Sequence, residues 1–215
     1  MTKPEQALRQ AIVEACRWMN ASGLNQGTSG NISVRWHDVM LITPSSTPYD
    51  TMTPEMIATM PLARGEDTWH GPLKPSSEWR FHQAILVVRP EVGAIVHTHS
   101  VHATALSMTR KSIPPCHYMI AAFGGADVRV ADYATFGTAE LSENALIALE
   151  HRTACLLANH GMIALGRDLE QAMWRAVELE TLARQYILAL QAGGPVLLTE
   201  AEIAAARAKF GGYGR

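Results

Sequence analysis

The sequence predicts a single α/β domain of 215 residues. Three observations carry this. Short apolar runs of strand character alternate with longer stretches whose apolar residues recur at helical spacing. The length suffices for one sizeable core, and the chain shows neither internal repeats nor a linker. Apolar residues make up 47% of it and charged residues 18%, a composition that buries a core rather than staying disordered.

The same composition narrows the partners. The formal net charge is −2 with no Lys/Arg block, so neither nucleic acid nor an anionic membrane surface is expected. No apolar run approaches the ~20 residues that cross a bilayer. The start, Met1-Thr2-Lys3-Pro4, runs straight into an amphipathic pattern, and no signal peptide is expected. Cys16, Cys116 and Cys155 are an odd number without C-x-x-C spacing, which suggests reduced thiols and a cytoplasmic setting.

Residues 5–21 carry Leu8, Ile12, Ala15, Cys16 and Met19 at helical spacing and end at Ser22-Gly23, giving a first helix. The loop Gln26-Gly27-Thr28-Ser29-Gly30-Asn31 leads into the alternating run Ile32-Ser33-Val34-Arg35, a strand. Such a loop of small residues can wrap an anion with its backbone N–H groups, and it equally makes a tight turn. Residues 39–42 form a second strand, closed by Thr43-Pro44-Ser45-Ser46. Residues 52–71 read as irregular apart from a helix start at Thr53-Pro54-Glu55. A helix then runs to about Val88, with Ser76 or Ser77 as N-cap and Glu78 in its first turn, where the dipole favours an anion. Ordinary capping explains those residues; a phosphate lodged at the helix N-terminus explains them too.

Gly93 to Val96 is an apolar run of buried-strand type that ends in His97-Thr98-His99. Side chains two apart share a face, so both imidazoles project together and can reach one metal ion. Two ordinary hydrogen-bonded histidines would satisfy the same pattern. No Cys lies nearby to close a structural site, so a third, distant ligand would make an open, catalytic one. Residues 100–108 continue as a helix that turns His102 away from the strand face. After the loop from Ile113 to Tyr118, residues 128–130 form a short strand and residues 138–150 a helix capped by Thr138. The apolar run 154–158 delivers Asn159-His160-Gly161, and a strand resumes at Met162. His160 is therefore the candidate third imidazole. A long helix over 169–192 and a last one over 199–210 complete the chain.

Three neutral imidazoles and one carboxylate suit a divalent ion, most simply Zn²⁺. Such an ion acts as a Lewis acid towards a substrate carbonyl and hydroxyl, stabilising an enediolate, while Glu78 removes the proton. Three glycine- or serine-bearing loops without Lys or Arg would hold a phosphate, which points to a small phosphorylated ketose whose C–C bond is made or broken.

Several long motifs resemble the class II aldolase/adducin family from about residue 24 to 213. They include Leu24-Asn25-Gln26-Gly27-Thr28, Pro75-Ser76-Ser77-Glu78-Trp79-Arg80-Phe81-His82 and Val96-His97 with His99. They continue through His117-Tyr118-Met119-Ile120-Ala121-Ala122, Tyr133-Ala134-Thr135-Phe136-Gly137-Thr138 and His160-Gly161. The resemblance implies a mixed, largely antiparallel sheet between helix layers (α/β/α) in a homotetramer with sites at subunit interfaces. It implies His97, His99 and His160 as zinc ligands and Glu78 as both fourth ligand and base. Gly30-Asn31, Ser45-Ser46 and Ser76-Ser77 would hold the phosphate. Tyr118 would reach a neighbouring subunit's site and protonate the aldehyde oxygen, while Phe136, Phe210 and Tyr213 would close over the aldehyde.

The implied reaction is reversible cleavage of a deoxyketose 1-phosphate to dihydroxyacetone phosphate and a small aldehyde. L-fuculose, 5-deoxyribulose and methylthioribulose 1-phosphates are the substrates the resemblance offers. Ser46 departs from the family pattern, which carries glycine there, and a Cβ constrains that backbone if it needs positive φ. Other branches of the family are dehydratases, decarboxylases and a 4-epimerase, and the epimerase carries Asp where this chain has Glu78. An adducin-like scaffold has no need of three histidines and a base.

Overall fold

Strands whose two faces are both apolar alternate in this chain with helices that bury one stripe, and the layers follow from that. The computed structural model describes residues 2–63 and 66–210. Within them are the strands β1 (Asn31–Trp36), β2 (Val39–Ile42), β3 (Ala58–Pro61), β4 (Ala94–Thr98), β5 (Val130–Ala131), β6 (Ala154–Leu157) and β7 (Gly161–Gly166). They form one seven-stranded sheet in the order β3-β2-β1-β4-β7-β6-β5. Every neighbouring pair is antiparallel except β5 with β6. The sheet is thus mixed and largely antiparallel.

The helices are α1 (Lys3–Ser22), α2 (Trp79–Val88), α3 (Val101–Met108), α4 (Ala139–Ala148), α5 (Leu169–Gln191) and α6 (Glu200–Phe210). Alternate strand residues feed two cores. Ile32, Val34, Leu41, Val96, Leu156 and Met162 pack with residues of α1, α3, α5 and α6. Met40, Ile42, Ile95, Cys155, Leu157 and Ile163 pack with residues of α2 and α4. Helices on both faces make three layers, and they explain why the strands read as unbroken apolar runs. Local signals set the helix ends. Thr2 caps α1, which stops at Gly23 in the left-handed region (φ 77°); Thr138 caps α4 and Asp168 caps α5. The small residues Ala172, Ala176 and Ala183 let α5 lie close on β7 and β4.

Four expectations need correcting. Residues 58–61, read as irregular, are β3; this is an edge strand of four residues ending in Pro61, too short to show a period and at a place where proline is tolerated. The helix expected to open on Ser76 or Ser77 starts at Trp79, and Glu78 occupies the cap position without a capping bond from its side chain. The carboxylate is used elsewhere, and Ser76 Oγ accepts from the Glu78 N–H at 3.3 Å instead. The strand expected over 128–130 begins only at Val130, since Val128 pairs in an isolated bridge with Ile113. Residues Tyr118–Phe123, expected to continue from a loop, form a 3₁₀-helix.

The histidine strand β4 is the middle strand of the seven. Its entry is tight: the Gly93 N–H donates to Gly166 O at 2.8 Å, and a Cβ on Gly93 would stand 2.0 Å from Arg167 O. Gly93→Ala is expected to cost about 1–3 kcal/mol by overpacking against backbone. The check is a lowered urea midpoint with unchanged slope; an unchanged midpoint would show that the strand entry yields freely.

Candidate active site

Four chain segments meet at one end of β4. The start of β1 lies on one side, where Asn31 pairs with His97; β7 lies on the other, where Ile163 pairs with His97. The β6–β7 turn and the N-terminus of α2 complete the ring.

His97 is fully buried, and its Nδ1 lies 2.9 Å from Met162 O. A carbonyl only accepts, so Nδ1 carries a proton, which leaves Nε2, the nitrogen facing Glu78, as the one available to a metal ion. His99, two residues on, projects on the same side, and its Nε2 lies 3.1 Å from His97 Nε2. His160 sits in the turn between β6 and β7, where Asn159 takes a left-handed conformation (φ 53°) that asparagine tolerates. One ring nitrogen from each of the three histidines lies within 4.8 Å of the others. Gly161 makes room for them, since a Cβ there would meet Thr98 O at 2.5 Å and His99 Cδ2 at 2.9 Å.

Glu78 faces this cluster. Its Oε2 is 3.2 Å from His97 Nε2 and its Oε1 is 3.1 Å from His160 Nε2. Asn31 Nδ2 donates to Oε2 at 2.8 Å. Burial works against ionisation of Glu78, but the imidazoles of His97 and His160 outweigh it and hold the carboxyl well below the usual carboxylate range. Burial, together with the charge of those two rings, pushes His99 down to about 4, so it is neutral at pH 7. The donor set fits a divalent cation: three imidazole nitrogens converge, the His97 ring is oriented by its Nδ1–H to Met162 O, and both oxygens of the buried Glu78 lie against ring nitrogens of the cluster.

A cavity of about 280 Å³ opens beside this cluster, lined among others by Ser29, Ser77, Glu78, His99, Tyr133 and Phe136. Three loops named from the sequence are neighbours through backbone pairing. Ser45 N–H donates to Lys74 O and Ser76 N–H to Thr43 O, each at 2.9 Å, and Ile32 N–H donates to Thr43 Oγ1 at 3.2 Å. Ser77 lines the cavity; Ser45 and Ser46 are not among its lining residues. Ser46 does take positive φ (52°), a left-handed position that costs a residue with a Cβ about 1 kcal/mol.

Tyr118 is 54% exposed and stacks on Phe210 with ring centroids 6.3 Å apart, and neither ring lines the cavity. Phe136 does. Tyr213 lies outside the described residues. His102 pairs with Glu180 (Nδ1 to Oε1, 2.6 Å) and takes no part in the cluster. Sequence reasoning passed over Ser29, Tyr133 and Asn159 as site residues, although each sits inside or beside a motif it singled out. It also passed over His82 and Ser33, which lie in line behind Asn31 (His82 Nε2 to Asn31 Oδ1 2.5 Å, His82 Nδ1 to Ser33 Oγ 2.7 Å); the signal was spacing, since His82 is one helical turn beyond Glu78 and Ser33 shares a strand face with Asn31.

His97→Ala and His160→Ala are expected to lower zinc affinity by more than the ~10–100-fold that losing an outer partner of a metal ligand costs. Metal analysis of the folded variants checks this, and stoichiometric zinc in either would remove that histidine from the ligand set.

Residues 10–187 match the model of the Class II Aldolase and Adducin N-terminal domain. The chain is 50% identical over 208 residues to a 5-methylthioribulose-1-phosphate/5-deoxyribulose-1-phosphate aldolase of Rhodospirillum rubrum, covering 97% of this chain and 93% of the relative. It is 48% identical over 208 residues to the L-fuculose phosphate aldolase of Escherichia coli K12, covering 96% and 95%. In three dimensions it superposes on an L-fuculose 1-phosphate aldolase with a TM-score of 0.91 at 38% identity, covering 95% and 96% of the two chains. The converging histidines, the buried carboxylate and these matches lead to one conclusion: the chain belongs to the class II aldolase and adducin family.

Proposed function

We propose that this protein is a zinc-dependent aldolase that joins dihydroxyacetone phosphate to a short, methyl-ended aldehyde and cleaves the resulting deoxyketose 1-phosphate. The observation that carries the reading is Glu78, a buried carboxylate set against His97 and His160 with a cavity at its side. Relatives named for fuculose phosphate, deoxyribulose phosphate and methylthioribulose phosphate support the reaction class.

When bound by His97, His99 and His160, a divalent ion polarises the substrate carbonyl and stabilises negative charge developing there. Glu78 removes a proton from the carbon next to that carbonyl, and the electron pair left behind delocalises into the carbonyl. Gly30-Asn31, Ser45-Ser46 and Ser76-Ser77 hold the phosphate through N–H and hydroxyl donors, without a cationic side chain. Ala134 and Phe136 give the cavity an apolar wall that suits a terminal methyl group. Tyr118, exposed and absent from the lining of its own chain's cavity, serves a neighbouring subunit of a homotetramer, donating its phenolic proton to the new alkoxide. Phe136, Phe210 and Tyr213 are the aromatics assigned to closing the site over the aldehyde. Among the described residues no helix is long and apolar enough to cross a membrane, and the proposed setting is the cytoplasm.

The test is to supply L-fuculose 1-phosphate and 5-deoxyribulose 1-phosphate with zinc and couple the product to glycerol-phosphate dehydrogenase. Dihydroxyacetone phosphate is expected from at least one, and none from either contradicts the reading. Glu78→Gln keeps an oxygen towards the metal but cannot take a proton, so cleavage should slow by ~10²–10⁴-fold with metal retained. Near wild-type turnover would assign the base to another residue.

A further inference from the structure

Behind Glu78 runs a buried line of polar groups that metal binding does not require. Asn31 Nδ2 donates to Glu78 Oε2 at 2.8 Å. His82 Nε2 lies 2.5 Å from Asn31 Oδ1, and His82 Nδ1 lies 2.7 Å from Ser33 Oγ. Asn31 is 4% exposed, and His82 and Ser33 are fully buried. The backbone explains how they meet. Asn31 and Ser33 are two apart on β1 and share a face, while His82 is one turn along α2 from Glu78.

The carboxylate fixes the direction of every bond in the line. An ionised carboxylate only accepts, so the Asn31 amide must turn its NH₂ to Glu78 and its oxygen to His82. That oxygen only accepts, so His82 Nε2 carries the proton. Nδ1 is then a lone pair, and the Ser33 hydroxyl must donate to it. Burial, with the charge of His97 adding to it and Glu78 opposing, pushes His82 down to about 3, so the ring stays neutral and the sequence of donors does not reverse at working pH. The Glu78 carboxylate and the His82 N–H thus hold the Asn31 amide from its two ends, and without His82 the buried amide oxygen loses the donor it has. The two oxygens of Glu78 differ as a result: Oε2 is anchored by the Asn31 amide, whereas buried Oε1 has only the His160 ring nitrogen beside it, at 3.1 Å.

We propose that Ser33 and His82 are positioning residues that orient the Asn31 amide, fix Glu78 by Oε2 and leave Oε1 as the oxygen that accepts the substrate proton. This rests on the aldolase reading with Glu78 as base. In the step concerned a carbon–hydrogen bond breaks, the proton goes to Oε1, and the electron pair passes into the neighbouring carbonyl. The proton returns from Oε1 in the reverse direction. A carboxylate free to rotate would still receive substrate but would meet the proton in the right geometry less often, and small misplacements of this kind cost up to ~10²-fold.

The experiment follows deuterium uptake into dihydroxyacetone phosphate in D₂O by NMR, with rates expressed per metal-loaded subunit. This isolates the proton transfer from aldehyde binding. His82→Phe keeps the ring against Phe81 but removes both nitrogens, and it should slow exchange by ~10–100-fold with KM for dihydroxyacetone phosphate changed less than about twofold. His82→Gln restores a donor and an acceptor and should recover part of the loss, which a purely space-filling role would not allow. Should His82→Phe fail to fold, Ser33→Ala decides, with a several-fold slowing expected. Exchange at the wild-type rate in the folded His82→Phe variant, or in Ser33→Ala where that one decides, overturns the proposal, as does His82→Gln no faster than His82→Phe. Wild-type protein that exchanges no deuterium, or Glu78→Gln that exchanges normally, overturns the assignment of the base and this proposal with it.

Discussion

Glu78 is a carboxylate placed inside the protein against two imidazoles, and most of the site is arranged around the cost of putting it there. An uncompensated buried charge costs several kcal/mol, so its oxygens must meet donors or a cation. Asn31 supplies one bond from β1, His97 and His160 supply positive potential, and the space between the rings suits a divalent ion. Those partners come from segments far apart in sequence, which sit side by side because β4 is the middle strand between β1 and β7.

The backbone around this point leaves little tolerance. Gly161 admits the His97 and His99 rings, and a Cβ on Gly30 would stand 2.7 Å from His97 O, so both strand neighbours of the histidines need a bare Cα. Met162 O sets the tautomer of His97 from across the β4–β7 pairing. Rigidity on the sheet side contrasts with the loop side, where Ser29, Ser77, Tyr133 and Phe136 line an accessible cavity. Such a division, with histidines held in or directly beside strands and adaptable walls on loops, is what a site needs if it orders a metal while admitting substrate.

Much of this could be read before the fold was known, for local reasons. The period of two in a strand places His97 beside His99, and the apolar run before His160 delivers a third imidazole from a strand end. Thr138 marked the start of α4 by capping logic, and the glycine that the family carries at position 46 raised the question of a positive φ, which Ser46 does adopt. What stayed illegible was non-local. The edge strand β3 is too short for a period. The cap position of Glu78 was equally compatible with ordinary capping, and only the packing of α2 beside β4 shows the carboxylate against His97 and His160. Asn31 read as a phosphate-loop residue, yet its side chain lies between Glu78 and His82, a partner chosen by strand–helix packing. Tyr118 and Phe210 have no visible relation to the site within one chain, and only the family resemblance connects them to it.

The central claim is that His97, His99 and His160 form one metal centre with a carboxylate at its side. X-ray absorption at the zinc edge of the zinc-loaded protein tests it most directly. The account predicts three imidazole nitrogens at about 2.0–2.1 Å and an oxygen donor at about 2.0–2.2 Å, with no sulfur. A shell containing sulfur, or one with fewer than three imidazoles, would contradict it.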